Sequence, residues 1–175
     1  MLIQIGPSKE SSDIVDLLNE CHERIRAFTG LAGRLARSGP VSDNEVSDAA
    51  AQLVRYFSES LPLHVADEEE SILPRLRGRS TPLDEAMNVM HQEHERHKPE
   101  LDSLLRLCRT LQKDPQQLPE LRETLRATAA TLEREFLTHL TKEEKIIFPA
   151  IRTMLGAEDR EAMLRELRAR RDSSM

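Results

Sequence analysis

Apolar residues recur at steps of three and four along four long segments of the chain, and this spacing is the period of an amphipathic α-helix. Residues that start or stop helices bound these segments: Ser11-Ser12, Gly39-Pro40, Ser42-Asp43-Asn44-Glu45, Gly78, Thr81-Pro82, Asp114-Pro115 and Gly156. Among them, Ser42 and Glu45 form a capping-box pattern, and Thr81 stands as a cap before a proline in the first helical position. Short connections make consecutive helices antiparallel, so the pattern predicts an all-α, up-down-up-down four-helix bundle.

A fifth, shorter amphipathic segment runs from Ala157 to Arg171 and predicts a short C-terminal helix. A chain of 175 residues suits one domain with its own core. We therefore expect an N-terminal extension over residues 1–10, the bundle over residues 11–156, and the short helix with a tail over residues 157–175. Irregular helix geometry is expected near the prolines inside or at the ends of these helices: Pro62, Pro74, Pro99 and Pro149.

The composition narrows the class of protein. Aromatic residues make up 3% of the chain, which suits helices packed on helices. The net charge of -6 is spread over mixed acidic and basic residues, without a basic stripe for nucleic acid or a polybasic arm for a membrane. No apolar run reaches the roughly 18 residues of a membrane span, and the first residues lack a secretory signal pattern. Cys21 and Cys108 fall on apolar stripes, which indicates buried thiols in a reducing compartment, so we expect a cytoplasmic protein.

One frame of residues occurs twice in the chain: histidine, three residues, Glu-Glu, four residues and proline. It begins once at His64, with Glu68 four residues on, and again at His139, with Glu143 four residues on. Histidine and glutamate at this spacing lie on one face of a helix. Both pairs continue the apolar stripe of their helix, and in the fourth helix we expect the stripe to go on to Ile146 and Ala150.

A shorter repeat, His-Glu-Arg, occurs at His22 in the first predicted helix and at His94 in the third. The two helix pairs therefore echo each other in the same order, as in a pseudo-twofold bundle. Together the repeats direct four imidazoles and two carboxylates toward one interior: His22, His64, Glu68, His94, His139 and Glu143.

Two inward carboxylates need compensation, because an unpaired buried charge is strongly destabilising. The inner stripes carry no lysine or arginine near them, and Lys142 and Lys145 point away by register. A single inward histidine is more often a hydrogen-bonded core residue than a ligand, but six converging residues in matched register favour a pair of metal ions. His91 and His97 flank His94 and are weaker candidates for an extra ligand.

Over about residues 11–171 the chain resembles the hemerythrin-like family, also called the HHE cation-binding domain. The matching residues are His22, Glu93-His94, and the two frames His64-x3-Glu68-Glu69 to Pro74 and His139-x3-Glu143-Glu144 to Pro149. The resemblance implies a non-haem di-iron centre inside the bundle, oxo- or hydroxo-bridged, in which Glu68 and Glu143 bridge two iron ions. Imidazole and carboxylate also suit zinc and manganese, so the choice of iron rests on the resemblance.

The chain departs from the oxygen-carrying hemerythrins in its third helix, where those proteins have two histidines four residues apart. Here Met90 stands four residues before His94. The step from His139 to Glu143 is also shorter than the corresponding step in the carriers. The resemblance thus implies that one iron lacks a protein ligand or recruits His91, with an open position for water, dioxygen, peroxide or nitric oxide.

Three functions fit these residues. The first is a di-iron domain that binds or senses O2, another small oxidant or iron, with O2, peroxide or nitric oxide as the expected partner. The second is an enzyme that degrades peroxide or oxidises ferrous iron at the same centre, with Met87, Met90 or Tyr56 lining the approach. The third is a metal-free helical interaction module. We expect no nucleic-acid or membrane partner, and the sequence does not identify a protein partner.

Overall fold

The protein is described from a computed structural model, which defines residues 13–173. Of these residues, 91% are helical and none forms a strand, so the predicted all-α bundle is confirmed. The expected N-terminal extension, the candidate caps Ser11 and Ser12, and the last two residues of the tail lie outside the described residues. The division at residues 10 and 156 stays a prediction.

Within residues 13–173, eight α-helices are present, and three wider π-helical turns connect some of them. The α-helices are α1 Ile14–Arg37, α2 Asp43–Arg55, α3 Leu61–Ala66, α4 Leu73–Leu76, α5 Thr81–Lys113, α6 Leu118–Lys142, α7 Phe148–Met154 and α8 Ala157–Asp172. The first π-turn is Tyr56–Ser60, the second is Asp67–Ile72 and the third is Glu143–Ile147, and a 3-10 turn spans Pro115–Gln117. The second predicted helix therefore comprises α2 to α4 with two π-turns, and the fourth comprises α6, the third π-turn and α7.

Hydrogen bonds from side chains cap the starts of α2 and α5. Glu45 N–H donates to Ser42 Oγ, and the Glu45 carboxylate accepts from the Ser42 backbone N–H, so the predicted capping box of α2 is present. At α5 the cap lies one residue before the predicted Thr81, because the Ser80 hydroxyl accepts from the Leu83 backbone N–H at 3.4 Å. Pro82 remains in the first turn, where its missing N–H breaks no helical hydrogen bond.

Each of the three π-turns ends two residues before a proline, namely Pro62, Pro74 or Pro149. Proline lacks an N–H group and its ring clashes with the carbonyl four residues earlier, so a regular α-turn is disfavoured at these places. The wider turn removes the conflict: Leu73 N–H donates to the Glu68 carbonyl, and Phe148 N–H donates to the Glu143 carbonyl. The expected irregularity is present at these prolines, whereas Pro99 lies inside α5.

The third π-turn also changes which isoleucine is buried. A regular helix would continue the inner stripe to Ile146, but Ile146 is 43% exposed and Ile147 is buried. Ile146 lies inside the π-turn, whose wider winding turns it outward and brings Ile147 inward. The prediction that Ile146 faces inward is therefore wrong, and the cause is the π-turn itself.

By contacts between Cα atoms, the described chain divides into two compact units. The first unit holds residues 24–61 and 97–137, where the rings of Phe28 and Tyr56 stack with centroids 4.0 Å apart. The second unit holds the described residues up to 23 together with residues 62–96 and 138–173. Its core is apolar and includes Leu18, Ile72 and Met87, each buried.

The C-terminal helix α8 attaches to the second π-turn through a cluster of charges. Arg170 and Arg171 contact the two oxygens of the Asp67 carboxylate at 3.0 and 2.6 Å, and Asp67 is 0% exposed. Glu166 accepts from the Ser71 hydroxyl at 2.6 Å. Since Asp67 directly precedes Glu68, these bonds hold the segment that carries a predicted ligand.

No helix among residues 13–173 is long and apolar enough to cross a membrane.

Candidate metal centre

The structure brings the six predicted ligands together inside the second unit, and all six are buried. They form two groups: His22, His64, Glu68 and Glu143 in one, and His94, His139, Glu68 and Glu143 in the other. In each group, one donor atom from every residue lies within 4.8 Å of all the others. Two imidazoles belong to each group, and the two carboxylates belong to both.

The π-turns set the position of the two shared carboxylates. His64 lies in α3 and His139 lies in α6, each in a regular helical turn. Glu68 and Glu143 follow four residues later, at the start of the second and third π-turns. The remaining histidines, His22 and His94, come from α1 and α5. The repeat read in the sequence therefore corresponds to a repeated helix, π-turn and proline in the structure.

Each shared carboxylate offers one oxygen to each group. Glu68 Oε1 lies 3.0 Å from His64 Nε2, and Glu68 Oε2 lies 3.1 Å from His94 Nε2. Glu143 repeats the arrangement, with Oε2 at 3.1 Å from His22 Nε2 and Oε1 at 2.9 Å from His139 Nε2. A carboxylate that divides its oxygens in this way has the arrangement of a bridging ligand.

Outer carboxylates bind the other nitrogen of three of the imidazoles. His22 Nδ1 lies 2.8 Å from Glu144, and His94 Nδ1 lies 2.9 Å from Glu69. His139 Nδ1 lies 2.9 Å from Glu93 Oε2. Because an ionised carboxylate only accepts, each Nδ1 carries a proton, and in the neutral imidazole that binds a metal the lone pair is then on Nε2, on the inward side. Metal-binding histidines are oriented by partners of this kind.

Glu93 is the functional residue that sequence reasoning missed. In the sequence it stands only as the neighbour of His94, without a role. In the structure it is buried, and its second oxygen accepts from the ammonium of Lys142. The available signal was its place beside His94, as Glu69 and Glu144 stand beside the two shared carboxylates. It differs from them in preceding the candidate ligand rather than following it.

The inward atoms fit metal ions better than they fit one another. His22 Nε2, His64 Nε2 and both oxygens of Glu68 and Glu143 have no partner in hydrogen-bond geometry among the described residues, although opposing atoms lie about 3 Å away. Two donors that each lie about 2.1 Å from one cation, at a right angle, are themselves about 3 Å apart. Buried polar atoms are otherwise almost always satisfied. The donors therefore have the spacing and the chemistry of a coordination shell.

The pKa values of these groups reflect the concentrated charge. Burial opposes protonation of His64, but the Glu68 carboxylate and the neighbouring Cys21 raise its pKa well above the ordinary value. Burial likewise disfavours the charged form of Glu68, yet His64 and His94 hold its pKa well below the ordinary value. Although burial also lowers it, the pKa of His139 is raised to about 9, chiefly by Glu143. The carboxylates attract positive charge, which a bound cation can supply.

The other candidate ligands lie outside both groups. His91 is 55% exposed, and its Nδ1 lies 2.9 Å from Glu69. His97 is buried in the first unit, where its ring packs edge-on against Phe136. Met90 is buried and lines a cavity that reaches His139. Neither His91 nor His97 belongs to either group of donors.

Comparison with known families agrees with this geometry. The family model described as the hemerythrin HHE cation-binding domain matches residues 13–151, and a second match covers residues 90–173. The chain belongs to the hemerythrin HHE cation-binding domain family. This membership implies that the protein binds cations, and the buried His/Glu groups fit such a site. Comparison with curated proteins found no match. Comparison with solved structures also found none.

Proposed function

We propose that the protein is a non-haem di-iron domain. His22 and His64 would hold one iron, His94 and His139 the other, and Glu68 with Glu143 would hold both. The observation that supports this assignment is that the buried donors divide evenly into two groups, each with two imidazoles and one oxygen from each shared carboxylate. Zinc or manganese would fit the same donors, and iron is favoured by the family.

The outer residues would keep the site ready for metal. Glu144, Glu69 and Glu93 hold three imidazoles with their Nε2 lone pairs inward, so a cation meets preformed donors. The three imidazoles are buried, and the less polar surroundings strengthen their hydrogen bonds. A pair of irons supplies two-electron chemistry and open positions for a small ligand.

We infer that the domain binds or senses a small oxidant, O2, peroxide or nitric oxide, or iron itself. Two imidazoles and two shared carboxylate oxygens leave each ion short of six ligands, which supports exogenous binding. The enzymatic alternative, breakdown of peroxide or oxidation of ferrous iron, is favoured by the cavity that reaches His139 and Glu143. A metal-free helical module is the remaining alternative.

Elemental analysis with an absorption spectrum of the aerobically purified protein tests the proposal. Protein made with adequate iron should carry two irons per chain and show the near-ultraviolet absorption of a diferric pair. Gln92→Ala is the matched control, because Gln92 lies on the same helix as His94 but is exposed, and it should retain both irons. Less than one metal per chain would contradict the di-metal site, and a colourless zinc protein would contradict iron.

A second measurement separates binding from catalysis. A reversible spectral change on exposure to O2 or nitric oxide, with recovery when the gas is removed, would favour a binding or sensing role. Sustained consumption of peroxide by the iron-loaded protein, lost in His94→Ala and kept in Gln92→Ala, would favour the enzyme.

A further inference from the structure

A cavity of about 430 Å³ lies beside the second group of donors, between α5 and the end of α6 with the third π-turn. Its walls are largely apolar and include Ala86, Val89 and Met90 on one side and Ile146 and Ile147 on the other. Two of these residues, Val89 and Ile146, are among the large apolar residues that the described part of the chain exposes to solvent. The cavity thus opens to solvent along an apolar rim.

The candidate ligands His139 and Glu143 also line this cavity. Both belong to the group that contains His94, while Glu143 is shared with the other group. A molecule in the cavity therefore lies beside two residues of the second group. Met90 lines the same space, at the position four residues before His94.

The cavity is larger than O2 or hydrogen peroxide alone would need. A water molecule has a share of about 30 Å³ in the liquid, and O2 and peroxide are of similar size. The cavity is more than ten times larger, and it lies within the range of roughly 300–1,000 Å³ typical of sites for organic ligands. Its apolar walls would contact the hydrocarbon part of such a ligand.

The charges around the cavity disfavour an anionic ligand. The ammonium of Lys142 lines the cavity, but it is already bonded to the Glu93 carboxylate. Glu85 is a third acid in the lining, beside Glu93 and Glu143. A carboxylate or phosphate in the cavity would therefore meet Glu85 and Glu93 as well as any bound cation, whereas a neutral molecule meets no like charge.

We propose that this cavity binds a small neutral organic molecule, a hydrocarbon that ends in a hydroxyl or hydroperoxide group, with the oxygen end toward His139 and Glu143. The proposal deepens the proposed function, on which it rests for the metal that the oxygen would meet. It adds an organic oxygen compound to the ligands proposed for the centre. Recognition of the hydrocarbon depends on the cavity walls alone.

Ligand-observed NMR with 2-phenyl-2-propanol tests the proposal, because this alcohol is neutral, apolar and not an oxidant. Zinc-loaded protein avoids paramagnetic broadening, and the metal content is measured on the same samples. We expect saturable binding to the wild type and binding about tenfold weaker or more in Ala86→Phe, which fills the cavity. Ala49→Phe is the matched control, since Ala49 is an alanine that lines another cavity, in the first unit. It should bind like the wild type.

A second variant keeps the test decisive if Ala86→Phe fails to fold. Val89→Glu changes a residue that is 41% exposed at the rim, and it should also weaken binding. Absence of binding to the folded wild type would overturn the proposal, as would equal loss in Ala49→Phe. Tighter binding of benzoate than of the alcohol would overturn the claim that the cavity prefers a neutral ligand.

The metal content separates the two proposals. If the alcohol binds as expected but the protein made with iron holds less than one metal per chain, the proposed function fails and the cavity site stands. If the protein holds its metal but does not bind the alcohol, the cavity site fails and the proposed function stands.

Discussion

Glu93 Oε2 lies 2.9 Å from His139 Nδ1, and both residues are buried. The carboxylate fixes the tautomer of the imidazole and aims Nε2 at the shared Glu143. Glu93 is itself held by Lys142, whose ammonium bonds to its other oxygen. A residue with no predicted role thus positions one of the four candidate histidine ligands.

Removal of Glu93 should weaken metal binding without touching a ligand. Glu93→Ala leaves His139 free to rotate and to change tautomer, and loss of such a partner typically costs about 10- to 100-fold in metal affinity. Competition with a chelator measures the change, and Glu93→Gln should recover part of it because the amide oxygen still accepts. Glu133→Ala, a change on the same helix as His139, is the control. Equal metal affinity in Glu93→Ala and Glu133→Ala would contradict the positioning role.

The shared carboxylates should differ from the histidines in metal stoichiometry. Glu68→Ala removes an oxygen from both groups, so we expect loss of both ions. His22→Ala removes a donor from one group only, so one ion should remain. Metal analysis after gel filtration distinguishes the two patterns. Retention of one ion by Glu68→Ala and loss of both by His22→Ala would contradict the bridging arrangement.

Attachment of α8 should depend on the charge pair at Asp67. Burial raises the pKa of Asp67, and Arg171 and Arg170 oppose that rise. If both arginines are replaced by alanine, a fully buried carboxylate is left without compensation, and we expect a loss of about 3 kcal/mol in the free energy of unfolding. Urea unfolding of the metal-free protein measures it.

Two further variants separate the Asp67 contact from a general effect of charge. Arg168→Ala removes an exposed arginine from the same helix and should leave stability within about 0.5 kcal/mol of the wild type. Adding Asp67→Asn to the double arginine variant should restore part of the loss, because no buried charge remains. An unchanged unfolding midpoint in the double arginine variant would contradict the role of this charge pair.

The thiol of Cys108 should not react with alkylating reagents in the folded protein. Burial raises the pKa of its thiol to about 12, so at pH 8 only about one molecule in 10,000 carries the reactive thiolate. Iodoacetamide should not label Cys108 at pH 8 until urea unfolds the chain, as read by peptide mass mapping. The predicted buried thiols are confirmed, since both cysteines are free and buried. Rapid labelling of Cys108 without denaturant would contradict this environment.

Much of the fold and of the site could be predicted because the repeated pattern is local. A histidine and a glutamate four residues apart share a helix face, so periodicity alone brought the six residues to one interior. The prediction for Ile146 was wrong because the third π-turn brings Ile147 inward in its place. A fixed helical period does not allow for such a turn. The prolines at 74 and 149 signalled irregularity there but not its form.

Two buried acids could not be predicted for a different reason. Asp67 and Glu93 are satisfied by partners far along the chain, Arg171 in one case and His139 in the other. Their positions relative to the inner stripes gave no warning of burial. Only the packed structure supplies such partners, so a polar residue of this kind looks like a solvated one in the sequence.

Two metal ions should lie between Glu68 and Glu143, and the proposed function depends on this pair more than on any other feature. Anomalous diffraction at the iron absorption edge, on crystals of the iron-loaded protein, tests it most directly. We expect two peaks about 3.5–4 Å apart, one beside His22 and His64 and the other beside His94 and His139. A single peak, or none within this shell, would contradict the di-iron centre.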